Sequence, residues 1–392
     1  MTASDVVIVG GAMYGASIAF HLASDPDFDG RVTVIERDPT YAFAATSHTN
    51  SCIRQQFSDP LNVQISQYGA EYILNFRARS GLADAPDLRL HSFGYLYLAD
   101  TPDFAAALRD SQQVQAGLGA ATRHMTRDQI AEAYPFYALD DIVAGNHNTV
   151  NEGYFDGGTL FDWWKRGAKR LGVTFVHDEV VDVIQEADRV TGVRLASGEI
   201  IACCWLVNAA GTRAAQVAGM AGIALPVEAR KRYTYVFQAE TPLDRDLPLT
   251  IDPSGVHVRS DGRYYMAGSP PGDDPAVDPA DFAFDHALWQ DKVWPAIATR
   301  IPAFERVRVI NEWVGHYDYN TLDQNAVVGP NPDIANFIHV NGFSGHGLQQ
   351  SPAIGRGMAE WIVHGAYRTL DLTPLGYARI AAGRPIVEKA II

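Results

Sequence analysis

Residues 6–15 read VVIVGGAMYG, and this stretch decides the fold. Residues 6–9 are a continuous apolar run, the pattern of a strand buried on both faces of a parallel sheet. A glycine-rich turn follows, residues 17–23 read as a helix, and residues 31–36 (RVTVIE) alternate into a second strand. Strand, turn, helix and strand within about 30 residues make one mononucleotide-binding unit. Gly10, Ala12 and Gly15 occupy the three fingerprint positions of a dinucleotide-binding turn, with alanine replacing the middle glycine. Glu36, twenty-one residues after Gly15, is placed to accept hydrogen bonds from ribose hydroxyls, while the helix N-terminus receives a pyrophosphate. A tight turn with no ligand is the plainer reading. The apolar strand before it and the acidic strand end after it favour a dinucleotide.

At 392 residues the chain exceeds the usual size of one hydrophobic core, so two domains are expected. With 47% hydrophobic and 20% charged residues it has the make-up of a compact enzyme, not of a disordered or fibrous chain. A net charge of −15 argues against nucleic acid and anionic lipid as partners. Cys52, Cys203 and Cys204 form no disulfide framework; the last two are neighbours in an expected buried strand, and a reducing compartment fits. The first residues show no basic leader pattern, and no run reaches the roughly 18 apolar residues of a membrane span. The expectation is a cytoplasmic protein.

Further along, residues 62–79 are amphipathic, with Val63, Ile65, Tyr68, Tyr72, Leu74 and Phe76 in the apolar stripe and Gly81 as a stop. The composition changes near Ala85. Residues 92–99 are strand-like, 103–118 helical, and 126–134 begin with a Thr-x-x-Gln capping pattern. A helix over 159–170 leads into several strands ending at Ala209, Ala210 and Gly211, small residues that let backbone approach a ligand. Residues 227–312 are strand-rich, with a Pro- and Asp-rich loop at 270–279. Ser351 and Pro352 read as N-cap and first residue of a last helix that stops at Gly365. With no repeat and no flexible linker, the two domains should interleave. Glycine-rich strand ends recurring at Gly211 and over 342–347 suit a long, extended cofactor touched by distant segments, hence FAD more than NAD. A helix N-terminus beside residues 347–350 would favour the negative charge of a reduced flavin.

Arg54, in SCIRQQF, lies close enough to the nucleotide turn to hold a substrate carboxylate bidentately; a surface role or a pairing with Asp59 is the alternative. Of His257 and Arg259 in the strand GVHVRS, one should face the pocket. His48, His257, His316 and His346 show no metal-ligand spacing, so no metal is expected, and each suits a structural histidine. No Ser-His-Asp or Cys-His nucleophile context is present.

These stretches, together with IRQQFSDPLNVQIS, FGYLYLA, NEGYFDGGTL, VNAAG, DHALWQDKVWP, YDYNTLDQNAVVGP and GFSGHGLQQSPAIGRG, run along nearly the whole chain. They resemble the D-amino-acid oxidase, glycine oxidase and monomeric sarcosine oxidase superfamily of FAD-dependent enzymes. Within it they look most like the FAD-dependent oxidoreductase domain-containing branch of the complex I assembly type.

The resemblance implies an α/β chain: a Rossmann-type FAD-binding domain (1–84, 146–222 and 320–392) interleaved with an α+β substrate domain (85–145 and 223–319) built on a mostly antiparallel sheet. It implies that Gly10, Gly11 and Gly15 contact pyrophosphate, with Ala12, Met13 and Tyr14 completing the turn. Glu36, with Arg37 beside it, would meet the ribose, and Val180 the adenine side. Thr46, Ser47 and His48 would lie beside the flavin with Ala210 and Gly211. Gly342, Gly345, His346, Gly347, Leu348 and Gln349 would line the isoalloxazine edge.

Arg54 matches the arginine that anchors substrate carboxylate in the sarcosine oxidase branch. Three positions depart from that branch. Gln349 replaces a lysine that is the second carboxylate anchor. Gly315 replaces the cysteine that tethers FAD, so the flavin should be non-covalent unless His48 attaches it. Met266 replaces a lysine linked with oxygen reactivity, which opens the choice between oxygen and another electron acceptor.

The expected reaction is oxidation of the C–N bond of an amino acid or N-substituted amino acid. Hydride leaves for flavin N5 and the resulting imine hydrolyses, with Tyr317 and His257 lining the pocket. The alternatives are a flavin-binding assembly scaffold without turnover, a subunit of a heteromeric amine dehydrogenase, and an NAD-dependent dehydrogenase. The sequence leaves homo- and hetero-oligomers open.

Overall fold

The structure, a computed structural model, describes residues 2–389. Residue 1 and residues 390–392, the outermost ends of the expected cofactor domain, lie outside the described residues. The apolar run becomes the strand Thr2–Val9 inside an eight-stranded sheet, paired in parallel with Val32–Glu36 on one side and Ile200–Asn208 on the other. Thr174–His177 extends the parallel set beyond Val32–Glu36, and Phe337–Asn341 runs parallel to the end of Ile200–Asn208. Antiparallel strands complete it: Arg189–Leu195 with Val180–Glu186 on one flank, and Val327–Pro330 against Phe337–Asn341.

Alternation along the strands decides the two faces. Val6, Ile8 and Val34 pack with Ile18, Trp164 and Met358 in a helical layer. Val7, Val9 and Ile35 face the other way, with Val193, Val217 and Phe337. Both faces are covered, which is why the sequence shows no polar alternation there. The same period separates the neighbouring cysteines: Cys203 is buried and Cys204 exposed, a correction to the expectation that both lie inside.

Three helices form the layer over the first face. Met13–Ser24 starts in the glycine turn, and Gly157–Arg170 and Gly347–His364 lie against it. Asp156 caps the second by accepting the Thr159 N–H at 2.9 Å. The last helix begins at Gly347, five residues ahead of the expected first residue Pro352, so Pro352 sits inside it. Proline has no N–H to give the Leu348 carbonyl; the Ser351 hydroxyl donates to that carbonyl instead, at 2.7 Å. The long amphipathic segment is two helices, Pro60–Leu74 and Phe76–Ser80, broken at Asn75 and closed by Gly81 at φ 65°. Asp59 caps the first, and Leu74, expected in its buried stripe, is exposed.

A nine-stranded sheet forms the second unit. Its longest pair, Val227–Ala239 and Val307–Asn320 at one edge, is antiparallel, as are the neighbouring pairs; only Leu249–Ile251 beside Tyr95–Ala99 is parallel. The expected Thr-x-x-Gln box is formed at Thr126 and Gln129. We keep the discontinuous domain partition as a proposal, although the strand Ala144–Asn148 crosses its 145/146 boundary and belongs wholly to this second sheet. Among the described residues, no helix is long and apolar enough to cross a membrane.

The tightest point of the first sheet is the turn. A Cβ on Gly15 would fall 1.9 Å from the Gly10 carbonyl oxygen, a backbone atom that cannot swing aside. Gly15→Ala therefore forces helix and strand apart, and is expected to destabilise the protein by roughly 3 kcal/mol or more in urea unfolding. An unchanged unfolding midpoint would contradict that reading of the contact.

Candidate active site

One large cavity runs from the glycine turn to the second sheet. Its first half is built from strand ends. Gly10 adopts φ 95°, and a Cβ there would meet the Ala209 carbonyl oxygen at 2.4 Å, so two strand ends close on the cavity with bare backbone. The helix Met13–Ser24 points its N-terminus at this space, favourable for phosphate. Glu36 holds the floor by accepting the Gly11 and Asp38 N–H groups, both at 2.8 Å. Ala12, Met13, Tyr14, Arg37, Thr46, His48, Val180, Ala210 and Gly211 also line it. A backbone cradle, a helix N-terminus and a carboxylate at the end of the second strand fit the pyrophosphate and ribose of FAD.

Four residues expected at the cofactor stand behind the wall instead: Gly11, Gly15, Ser47 and Gly342 do not line the cavity. Their work is structural. Gly11 anchors Glu36, and Ser47 donates to the Tyr41 carbonyl at 2.7 Å. Gly342 gives its N–H to Asp318 at 2.9 Å.

The second half is polar and deeply buried. Arg54 is 3% exposed, and no carboxylate among the described residues comes within ion-pair distance of it. Its Nη2 donates to His346 Nε2 at 3.0 Å and the guanidinium lies 4.4 Å from the Phe57 ring centroid. Asp59, the alternative partner, is occupied as a helix cap. Because a guanidinium only donates, His346 Nε2 must accept, which puts that ring's proton on Nδ1. Burial, then the Arg54 charge, hold His346 well below the usual histidine range, so it is neutral. Gln349 lines the cavity, and its Oε1 accepts the Arg54 backbone N–H at 2.7 Å, which positions the arginine.

Across the cavity, Asn50 gathers the second sheet. Its Nδ2 donates to His257 Nε2 at 3.2 Å, its Oδ1 accepts the Thr234 hydroxyl at 3.2 Å, and its carbonyl accepts Arg259 Nη2 at 3.1 Å. His257 lines the cavity while Arg259 stands behind it. Burial, with Arg259 and Arg232 nearby, lowers His257 to about 4, so it too is neutral. Tyr317 forms part of the wall under Arg232, whose guanidinium is 4.5 Å from the ring centroid.

Sequence reasoning missed Asn50, Arg232 and Asp318. Burial raises Asp318 to about 6 against the pull of the Phe343 and Gly342 N–H groups that it accepts. The only signal for it was its position inside the stretch YDYN, and for Arg232 the alternation of a strand.

The sequence profile described as FAD dependent oxidoreductase matches residues 5–361. FAD-dependent oxidoreductase domain-containing protein 1 of Xenopus laevis is 37% identical over 99% of this chain and 85% of its own. The 4-methylaminobutanoate oxidase (formaldehyde-forming) of Paenarthrobacter nicotinovorans is 25% identical over 92% of this chain and 43% of its own. In fold, the chain is similar to the crystal structure of L-proline dehydrogenase from P. horikoshii. There the TM-score is 0.84 at 24% identity, over 98% of this chain and 100% of that one.

At Gly315 an added Cβ would lie 2.6 Å from the His48 Cβ, so no cysteine tether fits there without moving His48. Acid precipitation of the cofactor-loaded protein should leave the yellow colour in the supernatant. Colour retained in the pellet would mean covalent attachment, with His48 the first residue to inspect.

Proposed function

From the chain's membership of the FAD-dependent oxidoreductase family, whose cofactor it shares without a covalent link, we propose that it oxidises the C–N bond of an amino acid or N-substituted amino acid. The observation that carries this is Arg54: a buried cation, facing the cavity, that donates to a neutral histidine and meets no carboxylate at ion-pair distance among the described residues. Such a group invites an anion. Arg54 and the Nδ1–H of His346 hold the substrate carboxylate, and Gln349 fixes the arginine by its backbone.

Arg54, Arg232 and Arg259 surround the substrate space with positive charge. Burial, with the Arg259 and Arg232 charges beside it, keeps His257 neutral, and the same surroundings disfavour a substrate ammonium, so the amine binds or becomes neutral without a strong base. Bound FAD supplies the two-electron acceptor chemistry, so that loss of hydride from the α-carbon leaves an imine that water hydrolyses. Tyr317 and His257 shape the wall opposite Arg54. The three cysteines are free, in keeping with a reducing compartment such as the cytoplasm, and oxygen or another acceptor takes the electrons onward.

The test is anaerobic addition of D-, L- and N-methyl amino acids to the yellow protein, followed by the visible spectrum. One class should bleach the flavin; yellow protein that none of them bleaches would favour an assembly scaffold. Arg54→Ala should lower kcat/KM for the active amino acid by about 10²–10³-fold, the size of a lost charge-assisted pair. It should leave the rate with the matching decarboxylated amine unchanged. An equal loss on both substrates would remove Arg54 from the carboxylate site.

A further inference from the structure

Two carboxylates are buried around the Arg54 segment, and the reaction as proposed uses neither. Glu152 is fully buried and has no cation within ion-pair distance among the described residues. Its Oε1 accepts the Gln55 N–H at 2.7 Å and Asn148 Nδ2 at 2.8 Å, and its Oε2 accepts Gln56 Nε2 at 2.8 Å. It thus clamps the two residues that follow Arg54. Glu388, also buried, accepts the Ser58 and Asp59 N–H groups and Asn62 Nδ2 on the far side. Arg54 is the cation whose field reaches both. The other titratable groups facing the cluster are Tyr97, a neutral phenol from the strand Tyr95–Ala99 that faces Arg54 and both acids, and Tyr95, Tyr317 and His346, which face Arg54.

We propose that Glu152 takes up a proton when a carboxylate occupies Arg54, acting as a positioning residue that sets the charge of the anion site. This rests on the reading of Arg54 given above. With both acids ionised, the cluster of two carboxylates and one guanidinium already carries one net negative charge. A substrate carboxylate adds a second beside cations, Arg232 and Arg259, that are already paired with Asp274 and Asp261, an expensive arrangement away from water. A proton on Glu152 restores the balance.

The geometry says which acid takes it. The buried Oε1 of Gln56 has no partner, while its Nε2 serves Glu152 at 2.8 Å and the Tyr95 carbonyl at 3.3 Å. A half-turn of that amide gives up the longer bond to Tyr95 and presents a carbonyl to a protonated Glu152. Glu388 has no such freedom: two of its donors are backbone N–H groups, and the third, Asn62, is held in place by Gln350 through its Oδ1. Burial has already raised Glu152 to about 7 against the donors and Arg54. An anion on Arg54 weakens the last of these and raises it further.

The sign follows. Below about pH 6 Glu152 is protonated with or without the anion, and binding takes up nothing. Above about pH 7 binding must bring a proton with it, so affinity falls as pH rises, by at most tenfold per unit.

Acetate is a sufficient probe, titrated into the FAD-loaded protein by calorimetry in two buffers of different ionisation enthalpy, from pH 5.5 to 8.5 in roughly half-unit steps. Wild-type protein should take up an increasing fraction of a proton above neutrality, with Kd weakening in step. Glu152→Gln should bind acetate with a pH-independent Kd and no uptake; Glu388→Gln should keep both effects. Binding with no uptake in the wild type, a result that depends on no variant's folding, overturns this inference and leaves the Arg54 reading standing. No binding at all overturns both. Uptake that persists in Glu152→Gln overturns the assignment to that residue.

Discussion

The structure depends on a contact between bare backbones at the end of the first strand. The Gly10 carbonyl occupies the place where a Cβ on Gly15 would be, and Gly10 itself faces the carbonyl of Ala209. Three elements, the strands Thr2–Val9 and Ile200–Asn208 and the helix Met13–Ser24, can meet there only because no side chain intervenes. Their convergence turns the helix N-terminus toward the cavity, where the Thr46 hydroxyl accepts the Met13 N–H at 3.3 Å. It also fixes where Glu36 lies, since the Gly11 N–H that holds its carboxylate belongs to the same turn.

The second half of the cavity inherits its position from that turn through the last helix. Tyr14 donates its hydroxyl to the Gly347 carbonyl at 2.6 Å and stacks on Phe343 at 3.9 Å between centroids. Gly69 lets the helix Pro60–Leu74 press against the same segment, where a Cβ would be 2.5 Å from the Gln349 carbonyl. Gln349 in turn holds the Arg54 backbone. Nucleotide turn, last helix and buried arginine are therefore one connected framework, and the second sheet closes over it through Asn50, Arg232 and Tyr317.

What the sequence made legible follows from distance along the chain. The βαβ unit could be read because its strands, turn and carboxylate are consecutive and each has its own local reason. The cap at Thr126 is local in the same way. The start of the last helix was misread because Ser-Pro carries a strong local preference, which the Ser351 hydroxyl overrides by serving the carbonyl that Pro352 cannot. Gly11, Gly15, Ser47 and Gly342, expected at the cofactor, do not line the cavity, because a one-dimensional motif does not tell the atom facing the ligand from the atom that holds it. Asn50, Arg232 and Asp318 were out of reach. Their partners come from elements far away in the chain, and no spacing rule links a turn at residue 50 to a strand at 257.

Arg54 shows why such a site is built from neutral partners. A guanidinium buried beside a carboxylate at 3 Å would be satisfied, and an incoming anion would have to displace an ion pair held in low dielectric. Here the nearest partner is a histidine that cannot carry a proton on both nitrogens, since burial and the arginine itself forbid the second charge. The compensating carboxylates, Glu152 and Glu388, stand beyond ion-pair distance, engaged with backbone and amide donors of the segment that carries the arginine. They stabilise the cation enough to keep it ionised while leaving its outer face without a competitor. The arrangement gives up folding stability that a direct ion-paired arginine would retain, and in return keeps the donors of the proposed anion site preorganised.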